Sequence, residues 1–223
     1  MQKIAVILAR AGSKGIPNKN LQLVNGISLI GRAIMSAQDC NFFDKIIVST
    51  DGQTIAKEAA KYSADIVMRP EYLATDKAKS IDALLHVFAS KNISSGLSVM
   101  LQPTSPFRTS EDIMSAVNMH QKNQRGLGCV VSVKHMEEHP YKMLIWDGVS
   151  YTPISNAKYL EYPRQSLPKV VKHNGAIYVN RIEDLIQHQR FFIEPIGTYL
   201  MPEERSIDID TYEDLLAANK QGL

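Results

Sequence analysis

Cysteine is scarce in this chain. Cys40 and Cys129 are the only two among 223 residues, both in or beside apolar segments, and no C-x-x-C occurs. That excludes a disulfide framework of the kind that staples small secreted domains, and the two thiols suit packing in a reducing compartment. A zinc site is not expected either. No apolar run approaches the roughly 20 residues of a membrane span. Arg10 and Lys14 interrupt the N-terminal run before a signal peptide could be completed, so a cytoplasmic protein with no membrane contact is expected. An excess of one charge is missing too. Lys and Arg total 25 against 23 Asp and Glu, a formal +2, which is too weak a field to point to nucleic acid as partner.

Up to residue 135, short β-branched runs alternate with helical periodicity. Strands are expected at Ile4–Leu8, Lys45–Ser49, Ala64–Met68, Ser98–Leu101 and Cys129–Val133. Helices are expected at Ser28–Gln38, Thr54–Tyr62, Ser80–Ser90 and Ser110–Gln121. Nearly continuous apolar strands suit a parallel sheet covered on both faces. Their alternation with helices implies right-handed crossovers and a three-layer αβα sandwich.

Over residues 136–172 this rhythm fails. Pro140, Pro153, Pro163 and Pro168 interrupt it, and only Lys142–Trp146 and Val149–Ile154 read as short strands. An inserted arm within a single domain, 1–223, is expected. Its Tyr141, Trp146, Tyr151, Tyr159 and Tyr162 are more aromatic surface than such an arm can easily bury alone, as at a subunit interface. Regular structure resumes with a strand at Gly175–Val179, a helix over 181–188, a strand at Ile196–Leu200 and a final helix from Thr211.

Three segments carry candidate chemistry. After the first strand comes Arg10-Ala-Gly-Ser-Lys-Gly-Ile-Pro-Asn-Lys-Asn20, with cations at Arg10, Lys14 and Lys19. Gly12 and Gly15 allow tight bends and close backbone approach to a ligand. Arginine offers phosphate a planar fork and lysine a point charge. A loop of this composition is also what a solvated turn looks like, but its place at the end of an N-terminal strand of an α/β chain favours a nucleoside triphosphate. It is neither a G-x-x-x-x-G-K-(S/T) P-loop nor a G-x-G-x-x-G dinucleotide loop. In Ser206-Ile-Asp-Ile-Asp210 the alternation puts Asp208 and Asp210 on one side of an extended segment. Two carboxylates together repel unless a cation neutralises them, and magnesium takes one or two carboxylates plus substrate phosphates. The competing reading makes Asp210 a helix cap and Asp208 merely solvated. Leu101-Gln-Pro-Thr-Ser-Pro-Phe-Arg108 places Gln102, Thr104, Ser105 and Arg108 at the carboxyl end of a core strand, where open α/β sheets bind ligands.

These segments resemble the acylneuraminate cytidylyltransferases. Leu8–Asn20 matches the family's L-A-R-x-x-S-K-G-(I/L)-P-x-K-N, Leu101–Arg108 its L-Q-P-T-S-P-x-R, and Asp208 and Asp210 its C-terminal D-x-D. The resemblance implies a nucleotide-diphospho-sugar-transferase fold whose inserted arm makes a homodimer. It also implies magnesium as cofactor, held by Asp208 and Asp210, and transfer of CMP from CTP to a nine-carbon 2-keto-3-deoxy sugar acid. Arg10 and Lys19 would then act catalytically with Asp208 and Asp210, with Ser13 and Lys14 also on the triphosphate and Asn20 on the ribose. In Arg69-Pro-Glu-Tyr-Leu-Ala-Thr-Asp-Lys-Ala-Lys-Ser80, Arg69, Ala78 and Ser80 would read the pyrimidine, although Ser80 suits a helix N-cap equally. Gln102, Lys142, Arg164, Lys172, Asn174, Tyr178, Phe191 and Phe192 would form the sugar side. Many relatives carry arginine-proline at Lys172-His173, and lysine lacks arginine's bidentate fork for a carboxylate. Legionaminic, pseudaminic and 3-deoxy-octulosonic acids remain alternative acceptors, and a nucleotide-sensing protein without catalysis remains the non-enzymatic alternative.

Overall fold

The computed structural model describes residues 1–122 and 126–221. The chain runs through β1 (Lys3–Leu8), the small hairpin β2 (Leu23–Val24) and β3 (Ile27–Ser28), and α1 (Leu29–Gln38). Then follow β4 (Lys45–Thr50), α2 (Gln53–Ala60), β5 (Asp65–Met68), α3 (Ser80–Ser90), β6 (Leu97–Leu101), α4 (Ser110–Gln121) and β7 (Cys129–His135). The arm holds β8 (Leu144–Trp146), β9 (Tyr151–Pro153) and the short α5 (Lys158–Glu161). The chain ends with β10 (Val171–Arg181), α6 (Ile182–His188), β11 (Ile196–Leu200) and α7 (Tyr212–Lys220).

β1 shows why the layers form. Its side chains alternate across the sheet, and Ile4 and Val6 pack with Leu84, Val87 and Phe88 of α3 and with Ile182 and Leu185 of α6. Ala5 and Ile7 face the other way, onto Ile30 and Ile34 of α1, Ile55 of α2, and Ile113 and Val117 of α4. Both faces are covered, which is the expected sandwich. A third cluster joins Ile16, Leu29, Phe107 and Ile209 to Ala218 of α7 and binds the end of the chain to the first loop.

The seven-stranded sheet has the order β11-β7-β10-β6-β1-β4-β5. All neighbours are parallel except β10, which runs antiparallel to both β6 and β7. The expectation of a mostly parallel sheet holds, with one reversed strand near its centre. β10 is also longer than the segment expected. Val171 and Lys172, assigned from sequence to the arm, pair with His135 and Lys134 at the start of the strand. The arm therefore closes at about residue 170, because the ladder captures its last two residues.

Capping explains where two of the helices begin. Thr109 and Thr211 each cap the helix that follows, through capping boxes with Asp112 and Asp214. Asp210 therefore is not the cap of α7. Nor is Ser80 the cap of α3: Lys79 precedes the helix, Ser80 is its first residue, and no side-chain cap bond forms there. Both cysteines are free, and burial pushes the Cys40 thiol up to about 11. Among the described residues no helix is long and apolar enough to cross a membrane.

Candidate active site

The carboxyl ends of β1 and β6 and the first half of β10 converge on a cleft of about 640 Å3. From the first loop it receives Arg10, Ser13, Lys14, Lys19 and Asn20; from the loop after β6, Gln102 and Thr104; from β10, Lys172, His173, Asn174 and Tyr178; and from the C-terminal segment, Asp208 and Asp210. Segments far apart in the chain thus meet in one place. A second cleft of about 200 Å3 adjoins it, sharing Arg10 and Ser80 and adding Arg69, Leu73, Asp76 and Ala78.

The first loop is pinned by its own polar groups. Asn20 is buried and donates its amide to the Arg10 carbonyl at 2.9 Å, and the Ala11 N–H donates to Asp51 Oδ1 at 2.8 Å. A Cβ on Gly12 would meet nothing, whereas one on Gly15 would collide with the Asp210 carbonyl oxygen. At Gly15 the close backbone approach is made to the Asp-Ile-Asp segment of the chain itself, a contact the sequence did not lead one to expect. Lys19 Nζ lies 2.8 Å from Asp210 Oδ1. Arg10 Nη1 and Lys14 Nζ lie 2.8 and 2.7 Å from the two carboxylate oxygens of Asp76, which the sequence reading did not single out.

Asp208 and Asp210 differ in environment. Asp210 is exposed, while Asp208 is half-buried and its Oδ1 has no hydrogen-bond partner among the described residues. Burial raises the Asp208 carboxyl above the usual aspartate range; a bond from Thr104 opposes this and the Asp210 charge adds to it. Asp208 thus lines the cleft with one carboxylate oxygen buried and unpartnered. The described residues include no group of three or more His, Cys, Asp or Glu able to hold a metal. Two carboxylates alone suit an ion that completes its shell with phosphate oxygens and water, as magnesium does. His135 and His139 are spaced H-x-x-x-H, which the reading against zinc overlooked. Both ring nitrogens of His139 are engaged, Nδ1 accepting from the Tyr141 N–H and Nε2 lying 2.9 Å from the Pro168 carbonyl.

The segment bearing these carboxylates is held on several sides. Asn174 Nδ2 donates to Ser206 Oγ at 3.0 Å, while Asn174 Oδ1 accepts from Ser132 at 2.6 Å. Asn174 lines the cleft, but its amide is committed to this network rather than presented as a free sugar ligand. The Ile209 N–H donates to the Thr104 carbonyl at 2.9 Å, and the Asp210 N–H donates to Asp214 at 3.0 Å. Arg205 forks onto the fully buried Asp112 at 2.7 and 2.9 Å. Arg108, 4% exposed, donates to the carbonyls of Gln102 and Ala176 at 2.9 and 3.0 Å. This ties the floor of the cleft to β10. Gly175, at φ +78, leaves space that Gln102 Oε1 fills.

Other sequence candidates stand around the cleft rather than in it. The Arg69 guanidinium is buried and donates to the Ser49 hydroxyl and carbonyl and to the Leu73 carbonyl, at 3.2, 2.9 and 3.5 Å. The Ala78 N–H is taken by the Thr75 carbonyl at 3.1 Å. Phe191 and Phe192 pack behind Tyr178, with ring centroids at 5.3 and 5.9 Å. Burial, and then the Asp208 charge, pushes the Tyr178 hydroxyl up to about 12, so it stays a neutral donor. Lys142 and Arg164 are not among the residues lining either cleft. Within the arm, Lys142 donates to the Leu160 carbonyl at 3.0 Å and Arg164 to the Met136 carbonyl at 2.6 Å.

The arm packs part of its aromatic surface against itself. Tyr141 stacks on Tyr159 at 5.0 Å, and Tyr159 meets Tyr162 edge-on at 5.6 Å. The β8–β9 hairpin remains uncovered, with Leu144, Ile145, Trp146, Val149 and Tyr151 between 48% and 88% exposed.

Residues 4–212 match the family described as Cytidylyltransferase. The N-acylneuraminate cytidylyltransferase of Escherichia coli O18:K1:H7 is 36% identical over 212 residues, which are 95% of this chain and 50% of that protein. The chain thus spans about half the length of that relative. The CMP-N,N'-diacetyllegionaminic acid synthase of Legionella pneumophila is 34% identical over 236 residues, with all of both chains covered. Among solved structures, a CMP:2-keto-3-deoxy-manno-octonic acid synthetase complexed with CTP matches all of both chains with a TM-score of 0.72 at 18% identity, a likeness of fold.

Proposed function

The chain belongs to the cytidylyltransferase family, and from that membership we propose that it couples CTP to a nine-carbon 2-keto-3-deoxy sugar acid, N-acetylneuraminic acid or a close relative, releasing pyrophosphate. One observation carries the reading. Arg10, Lys14 and Lys19 share a cleft with an Asp208 carboxylate that has an unpartnered oxygen. A bound triphosphate answers the cations, and a divalent cation answers the carboxylates.

In this reading the C2 hydroxyl attacks the α-phosphate in line. A new P–O bond forms as the bond to the departing pyrophosphate oxygen breaks. Protein side chains do little covalent work, so orientation and charge compensation dominate. Arg10, Lys14 and Lys19 hold the triphosphate, with Ser13 assisting. Asn20, with one amide hydrogen on the Arg10 carbonyl, offers its oxygen and second amide hydrogen to the ribose. The smaller cleft takes the pyrimidine beside Arg69 and Ser80. With the Ala78 N–H already engaged, recognition there falls to its carbonyl, an acceptor for the amino group of cytosine. Gln102, Lys172 and Tyr178 face the sugar acid. Asp208 and Asp210 are the groups that would hold magnesium; when bound, it neutralises phosphate charge and makes the attacking hydroxyl more acidic. Lys19, now paired with Asp210, would be free to turn to phosphate if Asp210 held the cation, leaving neither charge uncompensated. No side chain on the cleft wall is assigned as general base.

A second reading, a diacetylated legionaminic acid as acceptor, is favoured by the identity maintained along the whole Legionella relative. Pyrophosphate release separates the readings when CTP and magnesium are supplied with N-acetylneuraminic, legionaminic, pseudaminic and 3-deoxy-octulosonic acids in parallel. The proposal expects the highest kcat/KM with N-acetylneuraminic acid. A tenfold preference for another acid reassigns the acceptor, and CTP binding without turnover on any of them points to the sensor instead.

A further inference from the structure

Asp76 has no place in the function so far. It lies beyond Leu73, whose carbonyl is held by Arg69, and before the first turn of α3. Each of its oxygens takes one cation of the triphosphate loop, Oδ1 from Arg10 at 2.8 Å and Oδ2 from Lys14 at 2.7 Å. Arg10 is shared by the two clefts, and Asp76 lines the smaller. The carboxylate therefore sits on the path between a base in one cleft and phosphates in the other. All three side chains reach solvent, with exposures of 34%, 79% and 44% for Arg10, Lys14 and Asp76.

We propose that Asp76 is a built-in competitor for the phosphate site, occupying Arg10 and Lys14 in the empty cleft and setting which anions can displace it. The inference rests on the nucleotide reading above. A carboxylate presents two oxygens and one negative charge, the pattern of one phosphoryl edge with less charge. An anion that engages only Arg10 and Lys14 must outbid it on nearly equal terms. A triphosphate also reaches Lys19 and the cation that Asp208 and Asp210 would hold, and so displaces it readily. Discrimination between partners can come from what opposes the wrong one as much as from what attracts the right one. Orthophosphate and sulfate are thereby kept from occupying the cleft. Exposed ion pairs are weak, so the two together reduce the apparent affinity of a displacing anion by roughly twofold to thirtyfold.

The alternative role, a third carboxylate for a metal, finds no support in the grouping of acidic side chains among the described residues. The two roles also predict opposite results. As a competitor, Asp76 weakens CTP binding; as a ligand, it strengthens it.

Calorimetric titration in magnesium buffer without sugar acid tests this, using CTP and, separately, inorganic phosphate. The proteins are the wild type, Asp76→Asn, Asp76→Ala, and Lys14→Ala with and without Asp76→Asn; melting curves establish that each is folded. Asp76→Asn is expected to tighten CTP binding by about threefold to tenfold and phosphate binding by at least as much, within the range two exposed ion pairs allow. The gain should shrink when Lys14 is already absent. CTP binding that is unchanged or weakened in both Asp76 variants, while the wild type binds CTP normally, overturns the inference and leaves the nucleotide reading intact. A wild type that binds no CTP overturns both.

Discussion

At the scale of single residues, Asp208 serves two opposed demands. Its half-buried carboxylate has an unpartnered oxygen and a raised pKa, a cost to the folded chain that a bound cation would offset. Asp208→Asn should therefore do two things together. Turnover should fall by about two orders of magnitude or more, as when one transition-state electrostatic contact is lost, while the melting temperature at neutral pH without magnesium rises. Parallel kinetics and thermal melts decide it, and a variant both inactive and less stable would place Asp208 in the scaffold instead. The sequence made this pair visible, because D-x-D in an extended segment aligns two like charges. It did not separate a buried member from an exposed one, which depends on Thr104, 104 positions earlier. Asp76 was hidden for a similar reason. Its partners Arg10 and Lys14 lie in a different loop, and nothing local to Thr75-Asp76-Lys77 shows where they are.

Among elements, the segment between β11 and α7 depends most on a remote neighbour. Arg205 precedes the Asp-Ile-Asp residues and forks onto Asp112 in the first turn of α4, which also accepts from the Tyr199 hydroxyl at 2.8 Å. Burial pushes the Asp112 carboxyl up, but the Arg205, Thr109 and Tyr199 bonds outweigh it and leave it below its usual value. A depressed carboxyl contributes stability in full above the unfolded aspartate value of about 3.9, and loses it as pH falls through the lower folded value. Asp112→Asn should cost about 3 kcal/mol at pH 7, as breaking a buried pair does. Urea titrations at pH 7 and pH 3 should show that gap narrowing at the acid end; a gap independent of pH would mean the charge of Asp112 contributes nothing. Most elements were legible because a period of 3.6 or unbroken apolar runs mark them. The reversal of β10 was not, since an apolar run records burial but not direction. The β2–β3 hairpin was overlooked although Asn25 and Gly26, both at positive φ, supply the turn signal for one.

For the whole molecule, the uncovered β8–β9 hairpin is apolar surface of the kind a second copy of the chain would cover. We propose that each arm reaches the partner's sugar side. Mixing an Asp208→Asn subunit with a Lys142→Ala subunit, each inactive alone, should then restore up to one working site per mixed dimer. No recovery despite demonstrated subunit exchange, or a monomer by light scattering at assay concentration, would rule the shared site out. The reversed strand has a consequence of its own. Because β7 and β10 are antiparallel neighbours, the chain leaves the sheet at His135 and rejoins it at Val171 directly opposite, on the rim where Lys172 and His173 line the cleft. What lies between is a loop on a closed base. It can lengthen, shorten or be exchanged without altering the register of any core strand. Under the function proposed above, the nucleotide scaffold and this loop can therefore diverge at different rates, and transplanting residues 136–170 between relatives tests whether the loop sets the acceptor while the donor is kept.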